Sequence, residues 1–256
     1  MDLSGWLVLT GAGVSTDSGI PDYRGPGAPA RTPMTYQELV ASPAAHQRYW
    51  ARAYIGWRHF TAAEPNATHR ILAERQDELN GLITQNVDGL HTAAGHRDVI
   101  DLHGRADRVI CLECGAMSPR ADLQRRLRVL NPVFDRTGAV APDGDVVLER
   151  TDDFVVASCE VCGGRLKPDV VFFGENVSKP LVQHCFDLVD AAAGLLVLGS
   201  SLQVMSGLRF VRAAARRGLP VVIVNRGATR GDDLATTKID AGCAETLGSW
   251  SSTVTT

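Results

Sequence analysis

The chain has 256 residues, enough for one large domain or two small ones with a sizeable buried core. Apolar residues make up 45% and charged residues 21%, and 26 basic against 29 acidic side chains leave a net charge of −3. That balance argues against a disordered chain, a collagen-like repeat, a small disulfide scaffold and nucleic-acid binding through overall positive charge.

In chain order, the apolar run at 6–10 enters Gly11-Ala12-Gly13 and reads as a buried strand leading into a glycine turn. Residues 31–62 carry tryptophan and tyrosine at helical spacing and read as an α-helical excursion. The pattern at 67–75 predicts a further helix, and the short apolar runs at 82–84 and 99–102 predict strands. Residues 105–167 break this rhythm. They hold four cysteines, an arginine-rich amphipathic stretch at 120–128 and a polar loop with Asp143-Gly144-Asp145. The stretch 120–128 reads as a solvated helix face, because Asp122 interrupts its arginines. Strands are expected again at 170–173, 195–198 and 221–224, with helices at 180–193 and 205–217. The small polar tail at 249–256 is expected to fray. Near-continuous apolar strands alternating with helices predict an α/β fold with a parallel sheet covered on both faces. The longest apolar stretch, 191–198, is far short of the ~20 residues of a membrane span. The N-terminus has no basic segment followed by an apolar one, so no secretion signal is read and a cytoplasmic location is expected.

Cysteine spacing carries the first chemical signal. Cys111-x-x-Cys114 and Cys159-x-x-Cys162 can each chelate one metal through two thiolates, and together they close a tetrahedral Cys₄ site. Glycine follows each pair, Gly115 after the first and Gly163-Gly164 after the second, which relieves the tight turn of a zinc knuckle. Two disulfides are the alternative, disfavoured in a reducing compartment. Four cysteine ligands leave no open position for water, so the metal is expected to be structural. Cys185 reads as a small buried residue on a helix.

A second signal comes from polar residues at strand ends. Gly11-Ala12-Gly13-Val14-Ser15-Thr16 can bring backbone N–H groups close to a pyrophosphate, although Thr16 stands where the usual dinucleotide fingerprint has glycine. A tight turn without a ligand is the alternative. Gly19-Ile20-Pro21-Asp22-Tyr23-Arg24-Gly25 sets an acid, an aromatic and an arginine beside that turn. Gln85, Asn86 and Asp88 follow the second strand, where open α/β sheets place ligands; Asn86 or Asp88 could instead cap the next helix. His103-Gly104 follows a third strand, with a side chain suited to general-base work near neutrality. Gly199-Ser200-Ser201 and Asn225 follow two more strands and could bond phosphate or ribose oxygens.

Together these residues resemble the sirtuin family of NAD-dependent protein-lysine deacylases. The segments that carry the resemblance are GAGVSTDSGIPDYRG (11–25), TQNVDGLH (84–91), HG (103–104), the four cysteines, KPDVVFFGE (167–175), GSSLQV (199–204) and VNR (224–226). RYWARAYIGW (48–57), LNPVFD (130–135), APDGD (141–145) and GSSLQVMSGLRF (199–210) are most similar to the class II branch, and the alanine- and arginine-rich composition points to a bacterial source.

The resemblance implies a Rossmann-like NAD-binding part (1–30, 76–104 and 168–256) and a smaller part made of helices (31–75) and a zinc-binding module (105–167). It implies that Gly11, Ala12, Gly13 and Ser15 hold the pyrophosphate side of NAD. Asp22, Tyr23 and Arg24 belong to a cofactor loop, and Gln85, Asn86 and Asp88 line the ribose and nicotinamide pocket. Gly199, Ser200, Ser201 and Asn225 take phosphate and adenosine, and Cys243 touches adenine through its backbone. It implies that His103 and Asn86 are the catalytic residues, with His103 as general base. Val170, Phe172, Phe173 and Gly174 receive an acyl-lysine peptide as an added strand, with Val204, Met205 and Ser206 as the opposing edge. It implies one structural zinc ion on Cys111, Cys114, Cys159 and Cys162. The implied reaction moves the acyl group from lysine to ADP-ribose and releases nicotinamide. The implied partners are acyl-lysine proteins or peptides, with no membrane and no specific nucleic acid.

Relatives that remove acidic acyl groups carry a Tyr-x-x-Arg pair. Tyr49-x-x-Arg52 has that spacing, but Ala53 and Gly56 occupy its register when counted from Glu64-Pro65-Asn66, so the pair is not assigned and weak succinyl preference is expected. Competing readings are a protein ADP-ribosyltransferase or NAD hydrolase on the same scaffold, and a non-catalytic NAD-sensing or nucleic-acid-binding zinc module.

Overall fold

Residues 7–10 are buried without interruption, so the first strand needs cover on both faces. The computed structural model describes residues 1–22, 33–138, 146–148 and 150–251. In it β1 (Trp6–Thr10) is followed by two short 3-10 turns, Ala12–Val14 and Thr16–Ser18, and then by α1 (Tyr36–Val40), α2 (Pro43–Thr61) and α3 (Ala67–Glu74). The chain continues through β2 (Gly81–Thr84), α4 (Leu90–Ala93), β3 (Val99–Asp101), β4 (Gly104–Cys111), β5 (Met117–Pro119) and α5 (Arg120–Leu130). It ends with β6 (Leu166–Val170), α6 (Lys179–Ala191), β7 (Gly194–Leu198), α7 (Met205–Arg216), β8 (Val221–Val224), β9 (Thr237–Ile239) and α8 (Cys243–Ser251).

Six strands form a parallel sheet in the order β3-β2-β1-β7-β8-β9. The two-residue period of each strand divides its side chains between two layers. Leu7, Leu9, Ile83, Leu195, Val197 and Ile223 meet Cys185 and Val189 of α6 and Phe210 and Val211 of α7. Val8, Leu82, Leu196, Leu198, Val222 and Val224 turn the other way, onto Leu72 of α3 and Cys243 and Leu247 of α8. Cys185 is fully buried, as expected, and burial pushes its thiol up to about 11. The chain proceeds from β1 to β2 and β3 on one side, and to β7, β8 and β9 on the other. The crevice beyond the carboxyl ends of β1 and β7 is therefore the topological switch point at which such sheets bind ligands.

A second, antiparallel sheet has the order β5-β4-β6. Trp50 and Tyr54 of α2, Leu123 and Leu127 of α5, and Phe134 and Phe154 form a separate core against it. Burying one such large side chain contributes about 1.5–3 kcal/mol. Trp50 Nε1 also donates to the Leu166 carbonyl at 3.0 Å, which fixes α2 to β6.

Two expectations change, and one strand is additional. The strand expected at 170–173 lies at Leu166–Val170 and pairs with β4 rather than joining the parallel sheet. Arg120 does not face solvent: its guanidinium lies 4.8 Å from the Trp57 ring centre and 5.2 Å from that of Trp50, and Nη2 donates to the Ala53 carbonyl at 3.2 Å. Burial lowers its pKa to about 10, which leaves it charged at neutral pH. The edge strand β9 was not foreseen. Among the described residues no helix is long and apolar enough to cross a membrane. Tyr23, Arg24 and the loop with Asp143-Gly144-Asp145 lie outside the described residues.

Candidate active site

The turns after β1 and β7 interlock. Gly13 N–H donates to the Gly199 carbonyl at 2.8 Å. A Cβ on Gly13 would lie 2.9 Å from Gly199 Cα, and one on Gly199, where φ is +58°, would lie 2.5 Å from the Val14 nitrogen. Only glycine permits this approach. The backbone then continues in 3-10 turns, without the long helix of a usual dinucleotide fingerprint. Asn66 holds the turn from behind: its Nδ2 donates to the Val14 carbonyl at 2.7 Å and to Ser18 Oγ at 3.0 Å, while its Oδ1 accepts from Thr68 N–H and caps α3.

A cavity of about 680 Å³ opens over these turns. Gly11, Ala12, Gly13, Ser15, Asp22, Gln85, Asn86 and Asp88 line it, as do Gly199, Ser200, Ser201 and Asn225. His103 and the expected peptide-binding residues Val170, Phe172, Phe173, Gly174 and Val204 line it too. Cys243 does not: its thiol is buried 3.8 Å from the Val224 carbonyl, and burial pushes it up to about 12. The sequence reading did not single out Ala106, Val87 or Arg209, which also line the wall.

Within the cavity the polar side chains hold one another in two groups. Ser15 Oγ donates to Asp88 Oδ2 at 2.7 Å and accepts from Asn86 Nδ2 at 3.0 Å. Asp88 Oδ1 accepts from Leu90 N–H, so Asp88 holds both the first N–H of α4 and Ser15. Gln85 Nε2 donates to Ser200 Oγ at 2.8 Å, tying the β2 end to the β7 end. Behind them Thr10 Oγ1 donates to Thr84 Oγ1 at 2.8 Å and lies 3.0 Å from His91 Nε2.

His103 sits at the junction of the two sheets. Its Nδ1 lies 2.8 Å from the Gln85 carbonyl, which can only accept, so Nδ1 carries the proton. Its Nε2 is therefore the acceptor, and it receives the Ser206 hydroxyl at 2.7 Å. Burial lowers the His103 pKa and outweighs the opposing effect of the Gln85 bond, so the ring is a neutral base at neutral pH. The main chain is pinned as well: Val171 N–H donates to the His103 carbonyl at 2.8 Å. Two residues earlier, burial raises Asp101 to about 6 although Arg105 approaches it at 3.9 Å.

Beside the base, the 167–175 segment is braced. Lys167 pairs with Glu175 at 3.0 Å and donates to the Val170 carbonyl at 2.5 Å. Glu175 Oε2 accepts from Phe172 N–H at 2.8 Å, and Phe172 stacks edgewise on Tyr49 at 5.4 Å. Among the described residues, α2 contributes Tyr49, Ala53 and Phe60 to the cavity wall; Arg52 and Gly56 are not part of it.

The cysteines lie away from this cavity. Cys111 ends β4, Cys114 lies in the turn before β5, and Cys159 and Cys162 precede β6. All four Sγ atoms lie within 4.8 Å of one another, with Cys111 and Cys162 at 3.5 Å and Cys114 and Cys159 at 3.8 Å. Thiolates about 2.3 Å from a zinc ion at tetrahedral corners stand about 3.8 Å apart, so the set fits one zinc ion. Each knuckle closes through glycine, with Gly115 N–H on the Cys111 carbonyl and Gly163 N–H on the Cys159 carbonyl.

Comparison with known proteins agrees with this geometry. The family model described as "Sir2 family" matches residues 11–206. The chain is 60% identical to NAD-dependent protein deacetylase 1 of Streptomyces coelicolor, over 92% of this chain and 81% of that protein. It is 57% identical to NAD-dependent protein deacetylase 1 of Mycobacterium avium, over 94% of this chain and 88% of that protein. A solved structure of Sir2 with p53 peptide and NAD+ superposes with a TM-score of 0.77 at 31% identity, over 95% of this chain and 90% of that one. The interlocked glycine turns, the neutral histidine and the four-cysteine centre thus sit in a chain that belongs to the Sir2 family.

Proposed function

We propose that the chain is an NAD-dependent protein-lysine deacylase whose acyl acceptor is the ADP-ribose of NAD. The observation that carries this reading is His103, a neutral base in the wall shared by the glycine turns and the 170–174 segment. NAD, as a substrate, supplies a ribose carbon activated by its nicotinamide leaving group. The cavity residues Gly11, Ala12, Gly13, Ser15, Gly199, Ser200, Ser201 and Asn225 would hold its phosphates and adenosine. Gln85, Asn86 and Asp88 would hold the nicotinamide ribose, with Asn86 oriented by Ser15. His103 Nε2 would take the proton of a ribose hydroxyl, and the Gln85 carbonyl would then hold the imidazolium through Nδ1–H. Val170, Phe172, Phe173, Gly174 and Val204 would seat the acyl-lysine. Zinc would hold the small sheet together without entering the reaction.

The same geometry supports an apolar acyl group. Tyr49, Ala53 and Phe60 are the α2 contribution to the wall, and an acidic acyl chain would meet no cation from that helix among the described residues. A cytoplasmic location accords with four thiols arranged for metal rather than for disulfides.

The test is mass spectrometry of purified, zinc-loaded protein with NAD and one peptide carrying acetyl-, succinyl-, glutaryl-, lipoyl- or long-acyl-lysine in turn, with His103→Ala as the blank. The reading predicts NAD-dependent loss of an apolar acyl group with formation of O-acyl-ADP-ribose. ADP-ribose on protein, or free ADP-ribose without deacylation, would replace it with the transferase or NAD hydrolase reading.

A further inference from the structure

Ser206 is bonded to the proposed base, and both line the cavity. Because Nδ1–H of His103 is committed to the Gln85 carbonyl, the lone pair of Nε2 receives the Ser206 O–H at 2.7 Å. Ser206 is largely buried yet lines the cavity. Its place is set by α7 rather than by the histidine. Gly207 and Leu208 N–H groups both reach the Val204 carbonyl at 3.3 Å, and Leu208, Phe210 and Val211 anchor the helix in the main core. Helix α7 approaches the Gln85 side chain closely at Gly207, where a Cβ would lie 2.7 Å from Gln85 Oε1. A substrate hydroxyl that gives its proton to Nε2 must either displace Ser206 or pass the proton through it.

We propose that Ser206 is a further catalytic residue, a hydroxyl relay between the ribose hydroxyl of NAD and His103 Nε2. The step balances without another reactant. The ribose O–H bond breaks and its oxygen keeps the electron pair. That proton bonds to Ser206 Oγ as the serine's own proton moves to Nε2. Serine ends neutral, and the positive charge rests on the imidazolium, still bonded through Nδ1–H to Gln85. This inference rests on the deacylase reading. It gives Ser206 a role beyond the peptide edge expected from sequence.

The test compares wild type, Ser206→Ala and Ser206→Thr in single-turnover deacylation with saturating NAD and acetyl peptide, in H₂O, D₂O and their mixtures. Exchange of labelled nicotinamide into NAD, which needs no deprotonated ribose hydroxyl, reports that each variant is folded and binds both substrates. The relay predicts that Ser206→Ala loses about tenfold or more in rate while exchange is kept. Ser206→Thr, which keeps the hydroxyl, recovers to within about threefold of wild type. Wild type gives a bowed dependence on deuterium fraction, from two protons in flight, and Ser206→Ala a straight one. Wild-type turnover matched by Ser206→Ala overturns the relay. So does a slow Ser206→Ala with a straight wild-type dependence, which reduces Ser206 to a positioning residue. Loss of exchange in Ser206→Ala together with loss of rate in Ser206→Thr also overturns it, as a purely structural role. No wild-type deacylation on any acyl peptide removes the deacylase reading itself, and the relay with it.

Discussion

Replacing Gly104 with alanine strikes the point where the base, the small sheet and the 170–174 segment meet. Gly104 has φ +75° and pairs with Val170 across β4 and β6. An alanine Cβ there would lie 2.1 Å from the Asp169 carbonyl oxygen and 3.1 Å from Val170 Cα, where ordinary contacts begin at 3.4 Å. The strands must part by more than 1 Å. The left-handed backbone costs about 1–2 kcal/mol for a residue with a Cβ. Forced overpacking adds about 1–3 kcal/mol. The expected loss is about 2–5 kcal/mol, a Tm fall on the order of 10 °C for a chain of this size. Displacing the strand also strains the Val171 bond to the His103 carbonyl, and a misplacement of about 1 Å at the base costs on the order of 100-fold in rate. Thermal unfolding and initial deacylation rates measure both effects. Gly218→Ala is the control: its φ is +69° with nothing within 4 Å of the added Cβ, so it carries the backbone strain without the clash. A Gly104→Ala protein with the Tm of the control and undiminished turnover would refute the reasoning.

Burial keeps the His103 pKa below its ordinary 6.5, so the acid limb of kcat/KM against pH has its midpoint below 6.5; a midpoint above it contradicts the assignment. Stability follows from the same burial. His46, His69, His91, His96 and His103 all have folded pKa values below 6.5, whereas the unfolded chain binds protons near 6.5. Their contribution is present above 6.5 and is lost as pH falls through the folded values. Asp101, raised to about 6, acts in the opposite sense between about 6 and 3.8, one group against five. Tm measured from pH 8 to 5.5 therefore falls toward acid, and a flat or rising curve refutes this. Metal analysis of the purified protein finds one zinc per chain. Chelation lowers Tm and deacylation together, and a chelated protein with unchanged Tm would show that the cysteine centre does not hold the fold.

Much of this architecture was legible because its causes are local. The runs at 6–10, 195–198 and 221–224 are apolar on both faces, and only a sheet covered twice buries them so. The cysteine pairs were legible because thiolate chemistry fixes their spacing. What escaped depends on partners distant in sequence. Ser206 meets His103 across 103 residues, and a serine in the first turn of a helix carries no sign of that contact. Val170–Phe173 looks like a strand by composition, yet the strand is Leu166–Val170, with Pro168 tolerated because β6 is an edge. Arg120 reads as solvent-facing until Trp50 and Trp57 supply rings to cover it. The edge strand β9 is three residues long and partly exposed, too short for a pattern to show.

The most direct test of the account is product stoichiometry. Wild type and His103→Ala are given NAD and acetyl-lysine peptide, and nicotinamide, deacetylated peptide and O-acetyl-ADP-ribose are counted in the same samples. The account predicts equal amounts of all three from wild type, and neither deacetylated peptide nor O-acetyl-ADP-ribose from His103→Ala. Nicotinamide released without the other two products, or equal turnover by His103→Ala, would contradict it.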